Sequence, residues 1–251
     1  MGARPWRLLL DPPGSAAWNM CVDEVLLAHV HTAPPTLRFY SWAEPSLSLG
    51  YRQPVPAWRE RADQLGLQLV RRITGGGTVL HAGDLTYALA APRSCPELPA
   101  DLRGSCEWIR EVLLSGLRSI GVRAQASPAV KGAERLDLCF AGATGLEIEL
   151  DRAKWVGSAQ RRTRTGFLQH GSIRLSDDSL LYASLLGERP PWPQESAKLE
   201  LAEVREALCR AFARALGGQL ELGSLAEPDL NLARMRHAAR LRDCLAVPPL
   251  P

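Results

Sequence analysis

A thiol, an ammonium group and a run of glycines are the parts of this 251-residue chain whose chemistry combines. Acyl transfer through a covalent intermediate needs a nucleophile, a group that stabilises negative charge on the carbonyl oxygen, and a cradle for the acyl chain. Cys139, Lys154 and Gly75–Gly76–Gly77 are the candidates for those three parts. Cys139 stands just before the small-residue loop Ala141–Gly145, a setting that suits an approachable thiol. Lys154 follows across a predicted hairpin, where it can favour the thiolate or polarise a thioester carbonyl. In the glycine run the backbone can take positive φ and a ligand can lie on the peptide plane, with Arg71 and Arg72 beside it.

Taken singly, each part has a plainer reading. Three glycines between strands make a hairpin or bulge. Cys139 reads as a structural cysteine, Lys154 as a solvated strand-end lysine, His81 and His170 as hydrogen-bonded structural residues, and the Arg161–Arg164 cluster as a solvated face. Arginine is nearly the only cation, since lysine occurs only at Lys131, Lys154 and Lys198. A site that needs a compact ammonium gives a reason to keep a lysine at 154.

The elements that must position these groups follow from periodicity. Helices are predicted over Ala16–His31, from Pro56 to Leu65 and, capped by Ser105, to Ile120. Strands are predicted at Leu37–Trp42, Leu47–Tyr51, Leu67–Ile73, Val79–Ala91, Val122–Ala126, Leu146–Leu150 and Phe167–Leu175, with a bend at Gly157–Ser158. Beyond Asp178 the spacing gives only helices, Leu180–Leu186, Leu199–Leu216 and Leu230–Leu241. The reading is a catalytic domain over 1–190 and a short helical C-terminal extension over 191–251 packed on it.

Composition bounds the class. An apolar fraction of 46% and a charged fraction of 23% are those of an ordinary globular protein, and no apolar run approaches the roughly 20 residues of a membrane span. Neither a signal peptide nor a myristoylation signal is read at the start, so the expectation is a cytoplasmic protein without membrane contact. Cys21, Cys95, Cys106, Cys139, Cys209 and Cys244 lack metal-ligand spacing, which argues against zinc and against a disulfide framework. From Asp151 to Arg174 six basic residues, Arg152, Lys154, Arg161, Arg162, Arg164 and Arg174, face one acid. That segment would attract an acidic partner.

Four motifs in order, NMCVDEVLL, RRITGGGTVLH, KWVGSAQRR and LQHGSI, resemble the lipoate–protein ligase and octanoyltransferase family, related in fold to the biotin protein ligases. The resemblance covers roughly Trp18–Leu175. It implies an α+β fold, a mixed or antiparallel sheet flanked by helices. CF followed by KxxGSAQ is similar to the cysteine-dependent octanoyltransferases, which implies Cys139 as nucleophile and Lys154 as its partner. Arg71, Arg72, Gly75, Gly76, Gly77, Val79, His81, Gly157, Ser158, Ala159, His170 and Gly171 fall on the implied acyl-binding positions. No metal and no cofactor is implied.

The implied donor is octanoyl-acyl carrier protein, and the implied acceptor is a lysine of a lipoyl domain, in the glycine-cleavage H protein or a 2-oxoacid dehydrogenase acyltransferase subunit. Neighbouring readings are an ATP-dependent ligase working through acyl-AMP and an amidotransferase between lipoyl domains. Outside the family, the basic face alone would make a non-catalytic binder of acidic protein or nucleic acid, although the motifs point away from nucleic acid. Two departures stand out. Ala82 occupies the place of the family's acid after the histidine, with Asp84 as its candidate replacement, and Gly142–Gly145 lacks the bulkier residues expected after the cysteine.

Overall fold

Ser15 accepts a hydrogen bond from the Trp18 amide at 3.2 Å and so starts helix α1 (Ala16–Ala28) where the sequence places it. Helical periodicity alone understates the burial of α1. Most of its residues are buried, Asp23 and Glu24 included, because a sheet covers one side and helix α6 (Glu227–Arg240) covers the other. The computed structural model describes residues 5–128, 147–187, 189–218 and 220–246, and Cys139 lies outside them.

The larger sheet joins eight strands among the described residues. They are β1 (Trp6–Leu10), β2 (Thr36–Tyr40), β6 (Asp84–Pro92), β7 (Gln125–Ala126), β8 (Ile148–Leu150), β9 (Ala153–Arg162), β10 (Gly166–Arg174) and β11 (Leu220–Leu222), in the order β11-β1-β2-β6-β10-β9-β8-β7. β1 runs parallel to β2 and β11, and every other pairing is antiparallel. A second, three-stranded sheet has β3 (Ser46–Leu49) between β4 (Gln68–Arg71) and β5 (Val79–His81). The result is the α+β arrangement of mixed sheets and flanking helices.

β6 and β10 are buried almost along their whole length, because both faces of the large sheet are covered. On one face Phe39, Tyr87, Leu89 and Phe167 join Ile109 and Leu113 of α3 (Leu102–Arg118) and Leu208 and Phe212 of α5 (Leu201–Ala215) in the main core. On the other face α1 packs on Leu9, Ala90 and Leu168. Burying each large apolar side chain contributes about 1.5–3 kcal/mol. Helices α2 (Arg59–Gln64) and α4 (Ser179–Leu186) close the small sheet through Ala62, Tyr182 and Leu185.

Four local expectations are corrected. The glycine run is not a hairpin: β3 lies between β4 and β5, so Gly75–Gly77 crosses its end. The crossing is tight, because a Cβ built on Gly50, at the end of β3, would sit 2.0 Å from the Gly76 carbonyl oxygen. Val79–Ala91 is two strands in two sheets, broken at Ala82–Gly83. Asp101 rather than Ser105 caps α3, accepting from the Gly104 amide at 2.8 Å, while Ser105 donates to Leu102 O. Gly157–Ser158 is not a bend, since β9 passes straight through it, paired to Ser172 and Gly171.

Residues 191–246 supply α5 to the main core, β11 to the sheet edge and α6 to the back of α1. β11 escaped the helical reading because it is three residues long and mostly exposed. After α6, the carbonyls of Cys244 and Leu245 accept from the Arg71 amide and Nε at 3.1 and 3.0 Å, fastening this stretch to β4.

Candidate active site

A cleft of about 350 Å³, its open mouth included, lies where the two sheets meet. β3 and β5 provide Ser48, Val79 and His81, and β9 and β10 provide Gly157, Ser158, Ala159, His170, Gly171 and Ser172. Met20, Tyr40 and Trp42 complete an apolar wall. The break between β5 and β6 turns out to be constructive. It brings His81, at the end of one sheet, against Asp84, at the start of the other, with Nδ1 2.9 Å from Oδ2. Asp84, the candidate replacement for the acid missing at Ala82, thus partners His81. Trp42 stacks on the imidazole with ring centroids 3.7 Å apart.

His170 is held from both sides. Its Nδ1 donates to Asp23 Oδ2 at 2.8 Å and its Nε2 accepts from Thr74 Oγ1 at 2.6 Å. Asp23 also accepts from Arg38 at 2.7 Å and from the Tyr40 hydroxyl at 2.9 Å. Burial opposes its charge, but the bonds from His170, Arg38 and Tyr40 outweigh burial and hold the carboxyl below its ordinary value. Burial lowers His170 below the usual imidazole range, so the ring is neutral with its proton on Nδ1.

Arg71 and Arg72, read from the sequence as anion donors beside the loop, are both buried. Arg72 lines the cleft, yet its donors are spent on Ser48 O, Gly75 O, Gly77 O and Thr74 Oγ1 at 2.6, 2.7, 2.7 and 3.1 Å. It pins the glycine crossing. Arg71 points away, to the carbonyls of Gly50, Tyr51 and Gln53. Arg71, Gly75, Gly76, Gly77 and Lys154 do not line the cleft. Ile73 and Leu168 pack under α1 and do not line the cleft.

Lys154 is half-buried and donates to Glu147 Oε1 at 3.1 Å, so it is not a solvated strand-end lysine. The tight turn Asp151–Arg152, with φ of 50° and 62°, brings the two ends of that hairpin together. Nor is Arg152–Arg174 a continuous basic face. Arg174 is buried against Asp178, and Arg162 is spent on Ala100 O, Asp101 O and Ser105, leaving Arg152 and Arg164 as the exposed members.

Burial pushes the thiols of Cys21, Cys95 and Cys209 up to about 11, 12 and 11 and also raises Cys106, so none of these four is an activated nucleophile. Among the described residues no group of three His, Cys, Asp or Glu side chains is placed to hold a metal, and no helix is long and apolar enough to cross a membrane. Sequence reasoning missed Asp23, Ser48, Thr74 and Glu147. For Asp23 a signal existed, the acid pair Asp23–Glu24 set between the apolar stretches Met20–Val22 and Val25–Leu27.

These features define a class: an α+β protein of two mixed sheets with an apolar cleft at their seam, floored by hydrogen-bonded histidines. The chain belongs to the lipoyl protein ligase A/B catalytic-domain family, whose model matches residues 15–213. It is 38% identical to octanoyltransferase LipM of Kyrpidia tusciae, over 95% of this chain and 97% of that protein. It is 36% identical to octanoyltransferase LipM of Moorella thermoacetica, again over 95% and 97% of the two chains. In fold it is similar to protein Ta0514 of T. acidophilum, solved with bound lipoic acid, with a TM-score of 0.78, 23% identity and coverage of 94% and 95%.

Proposed function

We propose that this chain is an octanoyltransferase of protein lipoylation, working through a thioester on Cys139. The observation that carries the reading is its likeness to LipM, which runs nearly end to end in both proteins. The unactivated state of Cys21, Cys95, Cys106 and Cys209 supports the choice of Cys139.

The donor is octanoyl-acyl carrier protein and the acceptor a lipoyl-domain lysine. Cys139 adds to the donor's thioester carbonyl, forming one C–S bond and breaking another, and the carrier thiol leaves. The lysine amine then displaces Cys139 and forms the amide. Lys154 stabilises charge at the thiolate and the carbonyl oxygen, and Val79, Gly157, Ala159 and Gly171 leave room for the eight-carbon chain. The glycine crossing, pinned by Arg72, keeps Val79 and His81 in place. The reaction runs in the cytoplasm.

Intact-protein mass spectrometry after mixing with octanoyl-acyl carrier protein, without ATP, tests this. The expected result is a mass gain of one octanoyl group, removable by hydroxylamine and absent from Cys139→Ala. An adduct formed only from octanoylated lipoyl protein would reassign the donor, and octanoyl-AMP made from free acid and ATP would replace transfer by ligation.

A further inference from the structure

The attacking lysine must lose a proton, and two hydroxyl–imidazole–carboxylate chains border the cleft. In one, Thr74 Oγ1 meets His170 Nε2 and His170 Nδ1 meets Asp23. In the other, Ser48 Oγ lies 2.9 Å from His81 Nε2, and His81 Nδ1 lies 2.9 Å from Asp84 Oδ2. They differ in what the hydroxyl reaches. Thr74 has no exposed surface and does not line the cleft, whereas Ser48 and His81 both do.

The second chain is also built to receive a proton. Asp84 Oδ2 accepts from Thr86 Oγ1 at 3.0 Å and from Ser172 Oγ at 2.6 Å, which fixes the carboxylate. Asp84 Oδ1 is buried with no hydrogen-bond partner among the described residues, so half of that carboxylate's capacity is unspent. An anion so placed sets the proton of a neutral His81 on Nδ1 and leaves the Nε2 lone pair facing Ser48. Trp42 holds the ring flat and donates to Thr86 Oγ1 at 2.9 Å. Among the described residues, Arg72, 3.3 Å from Ser48 Oγ, and His170 are further charged or titratable groups on this side of His81. Lys154, as an ammonium, has donors and no acceptor to offer an amine.

We propose that Ser48, His81 and Asp84 form the proton acceptor for the second half of the reaction, an inference that rests on the acyl-enzyme reading above. The lysine ammonium passes one proton to Ser48 Oγ while the Ser48 proton passes to His81 Nε2, which frees the nitrogen lone pair. As the nitrogen then bonds to the octanoyl carbonyl and the C–S bond to Cys139 breaks, its second surplus proton goes to the leaving thiolate. Asp84 stabilises the imidazolium. His81 then releases its proton to solvent, which restores the enzyme.

The test separates the two half-reactions. Wild type, His81→Gln and Ser48→Ala are loaded from octanoyl-acyl carrier protein, freed of donor, and mixed with a purified lipoyl domain, with loss of the adduct followed by mass. A parallel sample is discharged by hydroxylamine, an amine already unprotonated at neutral pH. The expected loss falls on discharge to the lipoyl domain. It is at least ~100-fold in His81→Gln beyond any loss in loading, and smaller in Ser48→Ala, while hydroxylamine discharges all three alike. Added imidazole should restore part of the His81→Gln rate.

Discharge of His81→Gln at the wild-type rate overturns the proposal. So does an equal slowing towards hydroxylamine, which would mark a structural role. Should His81→Gln not fold, Ser48→Ala decides on the same two criteria. Absence of any adduct on the wild type would overturn the acyl-enzyme reading itself, a result distinct from normal loading with normal discharge.

Discussion

His170 Nδ1 lies 2.8 Å from Asp23 Oδ2, and that one bond ties the strand flooring the cleft to the helix behind it. The same carboxylate holds Arg38 and Tyr40, so α1, β2 and β10 share one buried anion. Removing one partner of a buried pair strands the other charge, at a cost of about 3–5 kcal/mol. Asp23→Ala should lose stability towards the low end of that range in urea denaturation, because His170 and the Tyr40 hydroxyl lose their acceptor while Arg38 keeps Asp11 as its remaining charged partner.

Acid should act on the same bond. Folding lowers His170, so the unfolded chain takes up this proton first. The stability present above the usual imidazole value, about 6.5, is lost as the pH falls below it. Folding also lowers Asp23, whose contribution is present above the usual carboxyl value, about 3.9, and is lost as the pH falls through the folded value. Both slopes have the same sign. Urea midpoints measured from pH 8 down to pH 4 should fall below about pH 6.5 for the wild type, and His170→Gln should flatten that part of the curve.

Lys154 and Glu147 are 9% and 6% exposed and 3.1 Å apart, so the ammonium sits against a carboxylate oxygen largely out of water. A guanidinium keeps the charge but needs more room and a flat partner. Lys154→Arg should therefore stay folded, within about 1.5 kcal/mol of wild type, while octanoyl transfer falls by at least ~100-fold. Single-turnover transfer beside a thermal melt checks both. Wild-type transfer would make Lys154 a structural residue.

What could be read beforehand was local. The start of α1 at Ala16, the strand carrying His170 and the position of the glycine run are each set by a few neighbouring residues. The pairings that make the site are not. His170 finds Asp23 across 147 residues and Thr74 across 96, and periodicity carries no record of either. The glycine hairpin failed for the same reason, because a strand from earlier in the chain lies between its arms. Asp84 could be named as a candidate substitute for the acid missing at Ala82, and its bond to His81 is local, spanning three positions. The basic face was misread because charge is countable in a sequence, whereas the pairing of Arg174 with Asp178 and of Arg162 with Ser105 is not.

Gly171 pairs with Ser158 in the cleft floor, and a Cβ built on it would meet Ser158 Oγ at 2.5 Å, Tyr87 Cε1 at 2.6 Å and Gly157 O at 2.9 Å. The hydroxyl can turn away, but the tyrosine ring and the carbonyl cannot. Tyr87 OH is bonded to Ser158 at 2.8 Å and accepts from Gln169 at 2.9 Å. Gly171→Ala should cost about 1–3 kcal/mol in thermal or urea unfolding. It should also slow loading of the octanoyl chain, because the strands that must part are β9 and β10 themselves.

Gly50 tests the glycine crossing from the opposite side. A methyl group there would sit 2.0 Å from the Gly76 carbonyl oxygen, a backbone atom of the crossing itself, so the crossing must lift away from the end of β3. Arg72 is bonded to Gly75 O and Gly77 O on either side of that atom, and to Ser48 O in β3. A lifted crossing therefore pulls on Arg72 and, through Ser48, on the hydroxyl that faces His81. Gly50→Ala should lower stability by about 1–3 kcal/mol and also slow discharge of the octanoyl-enzyme to a lipoyl domain. The stability loss without slower discharge would show that the crossing acts only as scaffold, and that the cleft residues hold their places without it.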